Sequence, residues 1–209
     1  YYVEASPEIS DLEYDQLLRE LRELEAKYPN LVSPDSPTQR IGDQPVSDLA
    51  SVEHRIPMLS IDNTYSLDEL RDYFKRTQKT LGDEAIEWLV ELKIDGAAAS
   101  VVYEKGVLTQ AATRGNGKVG DDVTHNIRTI PDLPLRLSGD QIPDVLEIRG
   151  EVYITNSDLA ELNALQAKRG EPTFANPRNT AAGALRLQNA KQSAERRLRM
   201  FCHGIGYTE

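Results

Sequence analysis

Two runs rich in β-branched and small apolar residues, Ala97–Tyr103 and Val107–Thr113, are separated only by Glu104-Lys105-Gly106. Three residues can reverse a chain but cannot carry a crossover, so the middle of the sequence is committed to an antiparallel hairpin. Around it the apolar period keeps changing. Ile86, Trp88, Val90 and Leu92 alternate with Glu87, Leu89 and Glu91, which predicts a strand, as do Val145–Ile154 and Arg199–Ile205. Helical spacing appears at Leu17, Leu18, Leu21 and Leu24, stopped by Pro29, and in Ser157–Arg169, where Leu159, Leu162 and Leu165 share a face and Gly170 ends it. A third helix is predicted to bury a stripe of Leu67, Leu70, Tyr73 and Phe74. Start signals are equally local. Ser10-Asp11-Leu12-Glu13 and Ser66-Leu67-Asp68-Glu69 read as capping boxes, and Asn176-Pro177 supplies a cap with proline at the first helical position, opening a short helix through Arg186. Helices and hairpins intermixed, with no regular β-α-β alternation and no repeats, indicate an α+β chain. Pro34, Pro37, Gly42 and Pro45 mark an ordered loop, placing a boundary between a helical module, 1–48, and a larger domain, 49–209.

Charge distinguishes the two ends. The net charge of −10 argues against a polyanion partner taken alone, but residues 1–48 carry eleven acids against four bases, while residues 168–199 carry eight bases against two acids. An acidic head and a basic tail suggest two different jobs, beside the ordinary reading of solvated surface charge. No run of eighteen apolar residues predicts a membrane span. The chain begins Tyr1-Tyr2-Val3 without methionine or a signal-peptide pattern, so its first residue is expected to be a cut. One cysteine, Cys202, permits no internal disulfide and is read as a buried core residue of the last strand. His54, His125 and His203 lack metal-ligand spacing and read as structural.

The chemistry-bearing segment is Glu91-Leu92-Lys93-Ile94-Asp95-Gly96, predicted to put a lysine at the end of a strand. A lysine attacks a phosphoryl centre only as the neutral amine, which needs desolvation or a nearby cation. Asp95 can help hold a hydrated Mg²⁺, and Gly96 lets backbone and ligand approach closely. The same residues also fit a surface lysine on a strand edge. Further on come Thr113-Arg114-Gly115-Asn116-Gly117 and Glu147-Ile148-Arg149-Gly150-Glu151-Val152. At the other end, Asp11, Tyr14 and Asp15 lie on one helix face with Tyr1 and Tyr2 just upstream. Aromatic rings and carboxylates suit a cationic ring and would repel an anionic pyrophosphate. That spacing fits equally a core tyrosine flanked by acids favoured by the helix dipole.

Lys-x-Asp-Gly, an arginine loop and a Gly-Glu strand in this order resemble the covalent nucleotidyltransferases: DNA ligases, RNA ligases and capping enzymes. The wider resemblance is to the bacterial NAD-dependent DNA ligases and covers essentially the whole chain. It rests also on Pro7-Glu8-Ile9-Ser10-Asp11, Pro34–Arg40, Pro57-Met58-Leu59-Ser60-Ile61-Asp62-Asn63 and Ala175-Asn176-Pro177-Arg178-Asn179-Thr180-Ala181-Ala182-Gly183. It implies a helical nicotinamide-mononucleotide-binding module before an ATP-grasp-like nucleotidyltransferase domain. Lys93 would attack the adenylyl phosphate of NAD, the first step in sealing nicks in duplex DNA during replication and repair. Tyr1, Tyr2, Asp11, Tyr14 and Asp15 would hold nicotinamide mononucleotide, and Glu91, with the backbone of Ser60 and Ile61, the adenine. Arg114 and Glu151 would contact the ribose, Asp95 and Glu151 would hold waters on Mg²⁺, and Arg178 and Arg186 would face phosphates of nucleotide or DNA.

Some positions depart from the family: Tyr2 stands where histidine is frequent, Asn116 where aspartate is usual and Asp121 where glutamate is usual. The chain stops at Glu209, so the later lysine motifs, the oligonucleotide-binding fold, the zinc module and the remaining domains are expected to be missing. An exposed sheet edge, no nick sealing and slow or absent self-adenylation are the expected consequences. A cytoplasmic, nucleoid-associated monomer is implied. The competing readings are an ATP- or GTP-using nucleotidyltransferase and a non-catalytic NAD-sensing module.

Overall fold

A computed structural model of the chain describes residues 11–40, 48–61 and 63–209, apart from the side chains of residues 11, 12, 14, 15, 39 and 40. Tyr1, Tyr2, Ser10, Gly42 and Pro45 lie outside the described residues, so the cap of the first predicted box and the two upstream tyrosines of the predicted aromatic face do too. The described residues of 11–57 with Ile94–Glu209 form one compact unit, and those of Met58–Lys93 another. Helices and antiparallel sheets are mixed within the chain, as an α+β composition requires.

In the larger unit, helix α1 (Asp11–Lys27) runs until Pro29 opens a single 3-10 turn, Pro29–Leu31. The loop that follows folds back on it: the Ser36 hydroxyl donates to Glu25 Oε1 at 2.6 Å, and Thr38 Oγ1 donates to Oε2. Those two bonds hold the Glu25 carboxyl below its ordinary pKa, Ser36 contributing most. Asp35 in the same loop pairs with Arg136, far along the chain.

The hairpin forms as read: β2 (Ala97–Glu104) and β3 (Val107–Thr113) pair antiparallel around Lys105 and Gly106, both at positive φ. β2 also pairs with β5 (Val145–Tyr153), and β5 with β6 (Arg199–Thr208), giving a four-stranded antiparallel sheet in the order β3-β2-β5-β6. β1 (Ser51–Glu53) and β4 (Val119–Asp121) make a separate two-stranded pair. One face of the large sheet carries Ala99, Val101, Tyr103, Ala111 and Val152. With Ile127 of the short helix α3 (Thr124–Ile127), and with Ala181, Ala184 and Leu185, they build the core. Two buried side-chain donors there find backbone partners. Tyr103 donates to Pro134 O at 2.9 Å, and Asn126 Nδ2 to the carbonyls of Leu185 and Leu187, both at 2.7 Å.

The caps follow the local chemistry. Thr155 caps α4 (Asn156–Arg169) by accepting from the Asp158 amide at 3.0 Å, one helix position earlier than the predicted start, and Gly170 ends it in the left-handed region. Asn176 caps α5 (Pro177–Leu185), accepting from the Asn179 amide at 3.2 Å. Asn189 caps α6 (Ala190–Ala194).

The smaller unit holds one helix, here α2 (Leu67–Leu81), capped by Ser66 and with Glu69 accepting from the Tyr65 amide at 2.6 Å. Three expectations change. The stripe of Leu67, Leu70, Tyr73 and Phe74 is not buried; instead Tyr73 and Phe74 gather around Trp88, with ring centroids 5.8 and 4.4 Å from it. Thirty-odd residues have too little chain to enclose a core. Residues 86–92 do not form a strand: alternation supplies a face to bury but no hydrogen-bond partner, and no described strand lies against them. Cys202 is exposed rather than buried. It sits opposite Gly150, which offers no side chain to cover it, on β6 at the sheet edge. Partial desolvation, and then Asp132, still push its thiol pKa up.

Candidate active site

In the larger unit, three sequence-predicted residues gather around Ala98, the second residue of β2. Glu151 of β5 stands directly across from Ala98, so its carboxylate rises from the same face of the sheet. The Arg114 amide donates to the Ala98 carbonyl at 3.2 Å, which fixes where the turn after β3 begins. Asp95 and Gly96 lead straight into β2. Gly96 is dictated by space, since a Cβ there would lie 2.2 Å from the Val152 carbonyl oxygen. Only a residue without a side chain brings Asp95 this close to β5.

The arginine loop is held by its own backbone. Gly115 and Gly117 adopt positive φ, and a Cβ on Gly115 would come within 1.9 Å of the Val119 carbonyl oxygen. Asn116 Oδ1 accepts from the amides of Lys118 and Val119 at 3.0 and 2.9 Å. The asparagine therefore does the turn-closing work that an aspartate could do, without adding a charge. His54 reads as structural: its Nε2 bonds the carbonyl oxygens of Thr113 and Arg114, at 3.1 and 3.3 Å. His125 likewise bonds the Leu187 carbonyl at 2.8 Å.

The two arginines expected to face phosphates lie at opposite ends of α5, and each is held by a carboxylate. Arg178 Nη1 donates to Asp95 Oδ1 at 3.1 Å, and Arg186 pairs with Asp121 at 2.7 Å. Asp121, noted in the sequence only as a shorter acid than usual, is thereby paired with one of the candidate site residues. Its own amide donates to Thr113 Oγ1 at 3.0 Å, which links it to the start of the arginine loop. No carboxylate pairs with Arg114 among the described residues. Two guanidinium groups paired with Asp95 and Asp121 make this a surface that can exchange carboxylate for phosphate oxygen without rebuilding the backbone.

Lys93 closes the smaller unit, exposed and in a stretch without regular structure rather than at the end of a strand. Glu91, Ser60 and Ile61 belong to that unit and are also exposed. Asp11, Tyr14 and Asp15 lie on α1, in its first two turns, with side chains outside the described residues. No three His, Cys, Asp or Glu side chains cluster as a metal cage among the described residues. Asp95 and Glu151 offer hard oxygen donors of the kind Mg²⁺ takes one or two at a time while keeping its waters. Among the described residues, no helix is long and apolar enough to cross a membrane.

The family model of the NAD-dependent DNA ligase adenylation domain matches residues 46–209, and that of the DNA ligase-like N-terminal NAD+-binding domain matches residues 1–42. A protein named DNA ligase from Rhodopirellula baltica is 52% identical over 216 residues, covering 99% of this chain and 31% of its own length. Another, from Nitrosococcus oceani, is 49% identical over 209 residues, covering all of this chain and 31% of its own. The chain thus spans about a third of the length of the curated relatives it matches.

Proposed function

The chain belongs to the NAD-dependent DNA ligase family through its adenylation domain, and from that premise we propose that Lys93 takes AMP from NAD. The Lys93 Nζ lone pair attacks the adenylyl phosphorus. A P–N bond forms, the pyrophosphate P–O bond breaks, and nicotinamide mononucleotide leaves with its electron pair while Nζ gives up a proton. The division of labour is read from the family resemblance. Residues 1–48 form the module for nicotinamide mononucleotide, with Tyr1, Tyr2, Asp11, Tyr14 and Asp15 around its cationic ring. Residues 49–209 form the nucleotidyltransferase domain, in which Glu91, Ser60 and Ile61 hold adenine, and Arg114 and Glu151 hold the ribose. Asp95 and Glu151 would hold Mg²⁺ through water, and the metal, when bound, neutralises charge developing at the phosphate. Arg178 and Arg186 donate to phosphate oxygens in place of their present carboxylate partners. In the whole ligase the adenylate then passes to the 5′-phosphate at a DNA nick, in replication and repair, and the 3′-hydroxyl displaces it.

The observation that carries this reading is the convergence on Ala98: Glu151 across from it, Arg114 bonded to it and Asp95 just upstream. An acid-bearing surface and a cation-bearing turn meet at the point where the Lys-x-Asp-Gly motif delivers its chain. Positioned charge contacts of this sort at a reacting phosphate are each worth about 2–4 kcal/mol. The test is to incubate the full-length protein with NAD or with ATP and weigh it intact. An added AMP with NAD, absent with ATP and absent in Lys93→Ala, is expected. Adduct formation with ATP alone sinks the reading, and adduct retained in Lys93→Ala places the nucleophile elsewhere.

A further inference from the structure

Outside the residues of the candidate site, Arg149 is bonded through all three of its guanidinium nitrogens. It lies on β5, two residues before Glu151 and on the same face, opposite Ser100. Its Nε donates to Glu147 Oε1 at 3.1 Å, and the two side chains are only 16% and 4% exposed. Its other nitrogens reach a different part of the chain. Nη1 donates to the Pro57 carbonyl at 3.1 Å and Nη2 to the Ile56 carbonyl. These are consecutive carbonyls, the last two before the Met58–Lys93 unit begins. The adjacent strand makes room for the pair: a Cβ on Gly206 of β6 would lie 2.5 Å from both Arg149 Nε and Glu147 Cδ. Where the chain leaves the smaller unit it meets β5 again, at the Gly96 approach to the Val152 carbonyl. Within the larger unit, strand β5 therefore makes both contacts, through Arg149 to Ile56 and Pro57 and through Val152 to Gly96, with Glu151 between them.

We propose that Arg149 is a positioning residue for the adenylate, its guanidinium fork fixing the Ile56 and Pro57 carbonyls and so the start of the segment that carries Ser60 and Ile61. The inference rests on the reading above, in which those two residues supply backbone contacts to adenine. A counter-ion for Glu147 alone would need one donor. Arg149 spends its two terminal nitrogens on carbonyls of a distant segment, which is what a planar fork does and a single ammonium cannot. Burying a guanidinium is tolerable only because each of these donors is satisfied.

The discriminating variant is Arg149→Lys, which keeps a positive charge beside Glu147 but cannot span a carboxylate and two carbonyls. NAD and nicotinamide mononucleotide are titrated separately by calorimetry, with the thermal midpoint recorded. The expected result is about tenfold weaker NAD binding with affinity for nicotinamide mononucleotide unchanged, because the mononucleotide is held by the N-terminal module. Gly206→Ala, which crowds the same pair from β6, is expected to give the same selective loss. Without ligand, amide exchange at Met58–Ile61 is expected to accelerate about tenfold in Arg149→Lys. Equal losses for both ligands reveal a general loss of fold and overturn the proposal, as does unchanged NAD affinity. A wild-type protein that binds neither ligand overturns the functional reading, whereas an unchanged exchange rate overturns the anchor itself.

Discussion

Asp35 shows how one side chain ties a local loop to distant structure. Its carboxylate accepts from Arg136, the largest influence on it, and from Ser33, and these hold its pKa at about 2 against an ordinary 3.8. A folded pKa below the unfolded one means the pair's contribution is complete above about pH 4 and is lost as pH falls toward 2. Arg136 is more than half exposed, so the contribution is modest, at most about 1 kcal/mol. Urea midpoints measured at pH 6 and near pH 2.5 test this. Arg136→Gln is expected to lower the midpoint at pH 6 and to converge with the parent in acid; an equal gap at both values would show that the pair contributes nothing.

At the scale of elements, two glycines on neighbouring pieces of the site should respond to the same substitution with opposite signs. Gly96 brings the start of β2 against the Val152 carbonyl of β5, and both sides of that contact are backbone, so nothing can yield cheaply. Gly96→Ala is expected to cost about 1–3 kcal/mol and to suppress AMP transfer by moving Asp95 off β5. Gly183 lies within α5, where an added Cβ meets nothing within 4 Å. Gly183→Ala should stabilise by about 0.5–1 kcal/mol through helix propensity. Thermal midpoints moving the same way in both variants would contradict the close approach. The capped starts of α2 and α5 were legible in the sequence because a cap is a contact between residues three apart, whereas the Thr155 cap of α4 was not read. The predicted strand at 86–92 was not, because a strand is completed by a partner that its own sequence does not name.

At the scale of the whole molecule, the apolar residues left uncovered by that missing pairing have a consequence. Leu89, Val90 and Leu92 are 82%, 92% and 87% exposed, with Trp88 beside them. A contiguous apolar strip of this kind drives association. Against the monomer expected from the resemblance, sedimentation of the 209-residue chain should show concentration-dependent self-association that Leu89→Glu combined with Val90→Thr relieves. A chain that stays monomeric at high concentration would mean that the strip is covered in solution. The same reasoning applies to Cys202, expected in the core of the last strand but placed beside Gly150 on an edge strand that withholds cover.

The sequence by itself determined what depends on near neighbours: the hairpin around Lys105 and Gly106, the helix starts at Ser66 and Asn176, and the order of the lysine, arginine-loop and Gly-Glu motifs. Through the family resemblance it also pointed to Asp95, Arg114 and Glu151 as candidate site residues. Only the tertiary structure decided that these three meet at Ala98, that Arg178 and Arg186 rest on Asp95 and Asp121, and that Arg149 grips the chain at Ile56 and Pro57. The reason is physical. Dihedral preference and capping act over three or four residues, whereas an ion pair or a strand register is chosen by what sheet packing brings within hydrogen-bond reach, and that choice is made across fifty to a hundred residues at once.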